Sequence, residues 1–259
     1  LSTSQGRTAV CCLSSLNLEY YEEWKDTTIV ADMIRFLDNV IEWFTYFAPD
    51  TIHKARESAA AERAIGLGAM GWHNFLMRNN IPFESGGFNS AAMWNHRIFS
   101  DIKAKALEES KVLAKERGEP EDCIGTGLRN SHLLAIAPNA NSSVLCNTSP
   151  SIEPINSNAY AQKSRAGIFL VKNKYLEALL KELGKDTKEV WQSIVQNNGS
   201  VQHLDFLTEE QKAVFKTAWE IDQRWVVEHA GERAQYICQS QSLNVFFAPG
   251  TSRRYINQV

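Results

Sequence analysis

The sequence lacks a long uninterrupted hydrophobic run, and this absence excludes an ordinary membrane-spanning helix. The longest apolar stretch, residues 29–47, is interrupted by four charged side chains, those of Asp32, Arg35, Asp38 and Glu42. Placing these charges in the hydrocarbon layer of a bilayer would be costly. The sequence therefore predicts a soluble protein with no membrane partner.

An excess of positive charge is also lacking. The formal net charge is -3 and the pI is about 6.1, whereas a protein that wraps a nucleic-acid backbone needs a basic surface. We therefore expect no nucleic-acid partner, and any nucleotide that binds should be a small one.

Cysteine is scarce, which argues against an extracellular disulfide framework. The five cysteines are Cys11, Cys12, Cys123, Cys146 and Cys238. An odd, sparse set of this kind favours a reducing, cytoplasmic location. The six histidines show no ligand spacing to the cysteines, so the sequence predicts no metal site.

Internal repeats, low-complexity tracts and long Gly/Ser/Pro linkers are lacking too, so residues 1–259 are interpreted as a single domain or part of one. The chain begins with Leu1 and stops at Val259 inside what reads as the first turn of a helix. We therefore expect a domain that is incomplete at both ends.

Helical periodicity is the main signal that the sequence does contain. Apolar residues recur every three or four positions over residues 29–47, and a second run over residues 91–117 stops at Gly118. Further helices are predicted over residues 169–183, 185–198 and 208 to about 230, with Gly184 and Gly199 as stops and Thr208 as a cap.

Short β-prone runs lie between the helical ones, at residues 8–13, 133–137 and 243–247. Strands that alternate with helices indicate a parallel α/β arrangement. The predicted fold class is therefore α/β and rich in helix.

A glycine string at residues 66–71 fits the GxGxxG pattern of dinucleotide-binding folds. The residues before it, 57–64, read as helix rather than as the strand that such a site requires, and no well-placed acidic residue follows. We interpret the glycines as permitting close packing where a short extended segment meets a helix over residues 72–78.

A polar turn follows the predicted strand at residues 133–137. It consists of Pro138, Asn139, Ala140, Asn141, Ser142 and Ser143. At the carboxyl end of a strand, such a turn can present backbone N–H groups and hydroxyls to an anionic phosphate. The alternative is a structural turn whose side chains only cap the next helix.

Four stretches in this order resemble the large chain of class I ribonucleotide reductases. Gly127-Leu128-Arg129-Asn130, three residues, and Leu134-Ala135-x-x-Pro138 are similar to the family's signature. Residues 9–18 resemble the strand that carries one reducing cysteine, residues 63–68 resemble an Arg-x-x-Gly-x-Gly segment, and Ile152-Glu153-Pro154 resembles an Ile-Glu-Pro turn. The resemblance implies part of the family's ten-stranded α/β barrel.

By the same resemblance, the chain contributes to the reduction of ribonucleoside diphosphates to 2'-deoxyribonucleotides by thiyl-radical chemistry. Cys11 is the implied redox cysteine, and Pro138 to Ser143 is the implied substrate-phosphate loop. Inert packing is the alternative for any single strand cysteine. Cys12 should point to the opposite face of the strand from Cys11.

The resemblance also implies partners outside these 259 residues. They are the remaining half of the large subunit, a metal-containing small subunit that supplies the radical, and thioredoxin or glutaredoxin. No cofactor is expected to bind the chain directly, and ATP/dNTP effector sites are expected in an N-terminal part of the subunit. An Asn-x-Cys-x-Glu motif, which holds the family's radical cysteine, does not occur in this sequence. Two alternatives are a non-catalytic half of a split subunit and an adenosylcobalamin-dependent relative.

Overall fold

The computed structural model describes residues 3–164 and 167–259. Its strands are β1 (Cys12–Asn17), β2 (Ile65–Met70), β3 (Ala159–Ser164) and β4 (Gly167–Lys172). Its helices are α1 (Tyr21–Trp24), α2 (Ile29–Phe47), α3 (His53–Glu62), α4 (Trp72–Arg78), α5 (Ala91–Arg117), α6 (Ala140–Leu145), α7 (Lys174–Glu182), α8 (Lys188–Gln196), α9 (Glu209–Val214), α10 (Gln223–Ala234) and α11 (Arg253–Ile256). Single 3-10 turns cover Leu18–Tyr20, Asp50–Ile52 and Glu121–Cys123.

Parallel extended segments form the centre of the fold. Strands β1 and β2 pair in parallel from Cys12 opposite Ile65 to Asn17 opposite Met70. Leu134 then forms a parallel bridge with Leu67 on β2, and Ile136 forms one with Gln241. Four segments therefore lie side by side in chain order, with helices between them, which confirms the predicted parallel α/β arrangement.

The two long helices were predicted correctly. Helix α2 buries one side against α5 and the strands, and α5 ends at Gly118, whose φ of 85° lies in the left-handed region. Asp38 is on the buried side of α2, and its carboxylate forms ion pairs with Arg63 at 2.7 Å and with Arg117, at the end of α5, at 2.6 Å. Burial opposes ionisation of Asp38, but Arg63 and its neighbours outweigh it and lower the pKa of the carboxyl group.

Two predicted strands are displaced in the structure. The first strand covers Cys12–Asn17 rather than residues 8–13, because pairing with β2 begins only at Cys12. Residues 243–247 form no strand, and the bridge to the neighbouring segment falls at Gln241 instead.

Two predicted helices are also wrong in extent. The predicted helix 169–183 begins only at Lys174, because Asn173 caps it and the preceding β-prone residues form a hairpin of β3 and β4. The predicted helix from Thr208 to about residue 230 is two helices. The Thr208 capping box starts α9 as expected, but the chain leaves the helix after Val214, and Asp222 caps a new helix, α10.

No helix in the described ranges, 3–164 and 167–259, is long and apolar enough to cross a membrane.

Candidate functional site

Strand alternation places Cys11 and Cys12 on opposite sides of the parallel segments. Cys12 packs against the hydrophobic core. Cys11 lies on the other side, which we call the inner face, together with Leu13, Ser15 and Ala135. The expected separation of the two thiols is therefore observed.

The glycines of β2 keep this inner face open. A Cβ atom added at Gly66 would overlap the Leu13 side chain and lie 3.3 Å from the Cys11 sulfur. One added at Gly68 would overlap the carbonyl oxygen of Ala135. Gly71, with a φ of 78°, starts helix α4. The close-packing interpretation of the glycine string is confirmed, because residues 65–70 form a buried strand without the turn that a dinucleotide site needs.

The Cys11 thiol is half-buried between neighbouring segments. Gln239, on the last of the four segments, places its Nε2 atom 3.6 Å from the Cys11 sulfur. Burial raises the pKa of the Cys11 thiol, and the Gln239 contact acts in the opposite direction. Burial also raises the pKa of Cys12.

Asn139 anchors the predicted phosphate loop to the sheet. Its side-chain nitrogen donates to the carbonyl oxygens of Ala69 at 3.1 Å and Ala137 at 3.0 Å. Its Oδ1 accepts from the Ser15 hydroxyl at 3.1 Å, and its φ of 54° turns the chain into helix α6. Because both ends of the amide are occupied, Asn139 fixes the loop in place and leaves only its backbone for a ligand.

The two serines of the loop differ in their surroundings. Ser143 is buried, and its hydroxyl donates to the carbonyl oxygen of Ala140 at 3.0 Å. Ser142 is exposed, as are Pro138, Ala140 and Asn141. The backbone N–H groups of Ala140, Asn141 and Ser142 are in the first turn of α6, where an α-helix provides no internal acceptor.

A cleft of about 610 Å³ adjoins the loop. Pro138, Ala140 and Ser143 form part of its wall, whereas Asn141 and Ser142 do not line it. The hairpin of β3 and β4, residues 147–150 and Glu153 supply much of the rest. Glu153 accepts a hydrogen bond of 2.6 Å from Asn244, and burial raises the pKa of its carboxyl group.

Glu19 is a buried acidic residue behind this cleft that sequence reasoning missed. Its carboxylate accepts from Tyr175 at 2.5 Å and Asn74 at 2.9 Å, and it forms an ion pair with Lys174. Burial opposes ionisation, but these partners outweigh it and lower the pKa of Glu19. The cluster joins α7 to the turn after β1, so it holds the hairpin side of the cleft against the sheet.

Within residues 3–164 and 167–259, no group of three or more His, Cys, Asp or Glu side chains is arranged to hold a metal ion.

The whole chain matches a known family. The profile described as "Ribonucleotide reductase, barrel domain" matches residues 1–123 and 120–259. The chain belongs to this family. Its α/β fold is therefore part of the ribonucleotide reductase barrel, as the sequence motifs predicted.

Related sequences match the full length of this chain. It is 50% identical over 262 residues to the putative ribonucleoside-diphosphate reductase large subunit of Frog virus 3, and 48% identical over 265 residues to the large subunit of Invertebrate iridescent virus 6. The solved structure of the Actinobacillus ureae class Id ribonucleotide reductase alpha subunit superposes with a TM-score of 0.92 at 45% identity and is matched by 100% of this chain.

The chain is shorter than these relatives. It spans 46% of the Frog virus 3 protein, 27% of the Invertebrate iridescent virus 6 protein and 48% of the Actinobacillus ureae chain.

Proposed function

We propose that this chain is part of the catalytic barrel of a ribonucleoside-diphosphate reductase large subunit, and that it contributes one reducing thiol and a phosphate-binding loop. Family membership supports the reaction, and the placement of Cys11 supports the role of the thiol. Cys11 is on the inner face, beside the exposed Leu13, whereas Cys12 is on the opposite side, partly buried against the core. That difference is the observation that carries the assignment.

The reaction removes the 2'-hydroxyl of a ribonucleoside diphosphate as water. Two thiols provide the two electrons and two hydrogens, and they end as one disulfide. In this proposal Cys11 is one of the two thiols, and the other lies in the remaining half of the large subunit. The radical that starts the reaction comes from a metal-containing small subunit, and thioredoxin or glutaredoxin reduces the disulfide again.

The loop from Pro138 to Ser143 would hold the substrate's diphosphate. Support comes from its position at the carboxyl end of an inner-face segment, from its share in the cleft wall, and from the first-turn N–H groups of α6. Asn139 would act by holding the loop, and Ser142 would add an accessible hydroxyl. Ser143 is already bonded to Ala140.

The test is turnover by the complete large subunit that contains this chain, with the small subunit and a dithiol reductant. Cys11→Ser should abolish multiple turnover, because no disulfide can then form, whereas Cys12→Ser should leave it largely intact. The reverse result would show that Cys12, and not Cys11, is the redox cysteine. The 259-residue chain alone should be inactive with the same partners, since the second thiol is then missing.

A further inference from the structure

We infer that Gln239 is a positioning residue for the Cys11 thiol, and that its side-chain N–H stabilises the thiolate form of that cysteine. The inference rests on the proposed function only in giving Cys11 a redox role. The contact itself stands on the geometry of Cys11, Ile65 and Gln239, which lie on three of the four parallel segments.

The orientation of the Gln239 amide is fixed by a second hydrogen bond. Its Nε2 atom donates to the carbonyl oxygen of Ile65 at 2.7 Å, so this atom must be the nitrogen rather than the oxygen. An amide nitrogen carries two hydrogens. One is used by Ile65, and the other is available to the Cys11 sulfur 3.6 Å away.

The backbone of Gln239 is held as well. Its N–H donates to the carbonyl oxygen of Leu134 at 3.2 Å, which ties this segment to its neighbour. Because the main chain and one amide hydrogen are both bonded to the sheet, the Gln239 side chain loses little conformational entropy when it donates to Cys11. A donor fixed in this way favours the charged acceptor more than a mobile one does.

The surroundings of Cys11 leave few other groups that could stabilise a thiolate. Leu13, Gly66 and Ala135 are apolar. Within the described ranges, the titratable groups that act on Cys11 are Cys12 on its own segment and Cys238 beside Gln239, and each raises the pKa of the thiol. The Cys238 sulfur is itself bonded to the backbone N–H groups of Leu133 and Leu134.

The thiolate is the form of cysteine that enters thiol–disulfide exchange. A half-buried thiol with a raised pKa would react slowly in such exchange. The fixed amide donor offsets part of the effect of burial, and it does so without placing a charged side chain on the face where the substrate would lie.

The test measures alkylation of Cys11 by iodoacetamide in the full 259-residue chain, followed by peptide mass spectrometry from pH 6 to pH 10. Gln239→Leu removes the donor at similar size. We expect alkylation of Cys11 at pH 7 to slow by about three- to tenfold, with its pH profile moved to higher pH, because a charge-assisted hydrogen bond to a half-exposed group is lost. Gln239→Glu should slow it further, since a carboxylate repels a thiolate.

Two controls separate this role from a structural one. If Gln239 only supported the packing, its loss would expose the segment and speed alkylation of both Cys11 and the partly buried Cys12. Alkylation of the exposed Cys146 in the same sample measures the reactivity of the reagent. The matched control is Gln235→Leu, which replaces an exposed glutamine at the end of α10. An unchanged or faster Cys11 rate in Gln239→Leu would overturn the inference.

This outcome is distinguishable from failure of the proposed function. Gln239→Leu reports on the contact in the absence of turnover, whereas Cys11→Ser in the complete enzyme reports on the redox role. A slowed Cys11 rate together with full turnover by Cys11→Ser would support the contact and refute the role.

Discussion

Mild acid should destabilise this protein because two histidines are buried in neutral form. His73 and His229 are both inaccessible to solvent and share an aromatic cluster with Phe83 and Trp72. The His73 Nδ1 atom accepts the backbone N–H of Ile155 at 2.9 Å, so a residue of the cleft wall depends on this neutral ring.

Burial lowers the pKa of His73 to about 3 and that of His229 to about 3. In the unfolded chain, a histidine titrates near 6.5. Below that value the unfolded state binds more protons than the folded state, so the free energy of unfolding falls as the pH falls from 6.5 towards 3. Lowering the pH from 7 to 5 should reduce the free energy of unfolding by about 2 kcal/mol for each ring, and by about 4 kcal/mol for both together. That is a large share of the ~5–15 kcal/mol that stabilises an ordinary domain.

The assay is urea denaturation of the chain at pH 7, 6 and 5, followed by tryptophan fluorescence and circular dichroism. Carboxyl groups contribute little in this window, because they titrate near pH 4 in the unfolded chain. His229→Phe preserves the ring and should roughly halve the loss of stability between pH 7 and pH 5. His53→Phe, at an exposed position on α3, should leave the loss unchanged. If the free energy of unfolding fell equally between pH 7 and pH 5 in the wild type and in His229→Phe, the reasoning would be refuted.

Two pairs of substitutions test the core and the loop. Asp38→Asn should lower the free energy of unfolding by about 3–5 kcal/mol, because two arginines lose a fully buried partner. Glu42→Gln, at the exposed edge of the same network, should lower it by less than about 1 kcal/mol. Urea denaturation of both variants measures the difference. In the complete enzyme, Ser142→Ala should raise the substrate KM roughly ten- to a hundredfold by loss of a charge-assisted bond. Ser143→Ala should mainly lower the melting temperature, because that hydroxyl bonds Ala140, and an unchanged KM for Ser142→Ala would remove that side chain from the site.

Local signals in the sequence predicted what depends on local structure. The periodicity of residues 29–47 and the glycine after residue 117 predicted α2 and α5 with their correct bounds. The predicted cap at Thr208 marked where α9 begins. It could not predict that the chain leaves the helix after Val214, because a distant side chain, that of Asn158, bonds the carbonyl oxygen of Phe215 there.

The site was predictable only in the parts that short motifs carry. Sequence context predicts Cys11 and the loop after residue 137 as site residues, and these stay predictions, whereas the alternation that separates Cys11 from Cys12 is observed. Glu19 and Gln239 were missed, because each acts through partners far along the chain. Gln239 meets Ile65 across 174 positions and Cys11 across 228, and no local pattern marks such contacts.

Strand geometry also sets the distance between Cys11 and the proposed phosphate loop. Cys11 and Ser15 face the same side of one extended segment, and Ser15 bonds Asn139 at the base of the loop. Four residues of strand separate them by about 13 Å at ~3.3 Å per residue. Subtracting a contact of about 3 Å at each end leaves about 7 Å. That is the scale of one ribose with its phosphates, so the distance between the Cys11 thiol and the loop is compatible with the proposal that both contact one nucleotide.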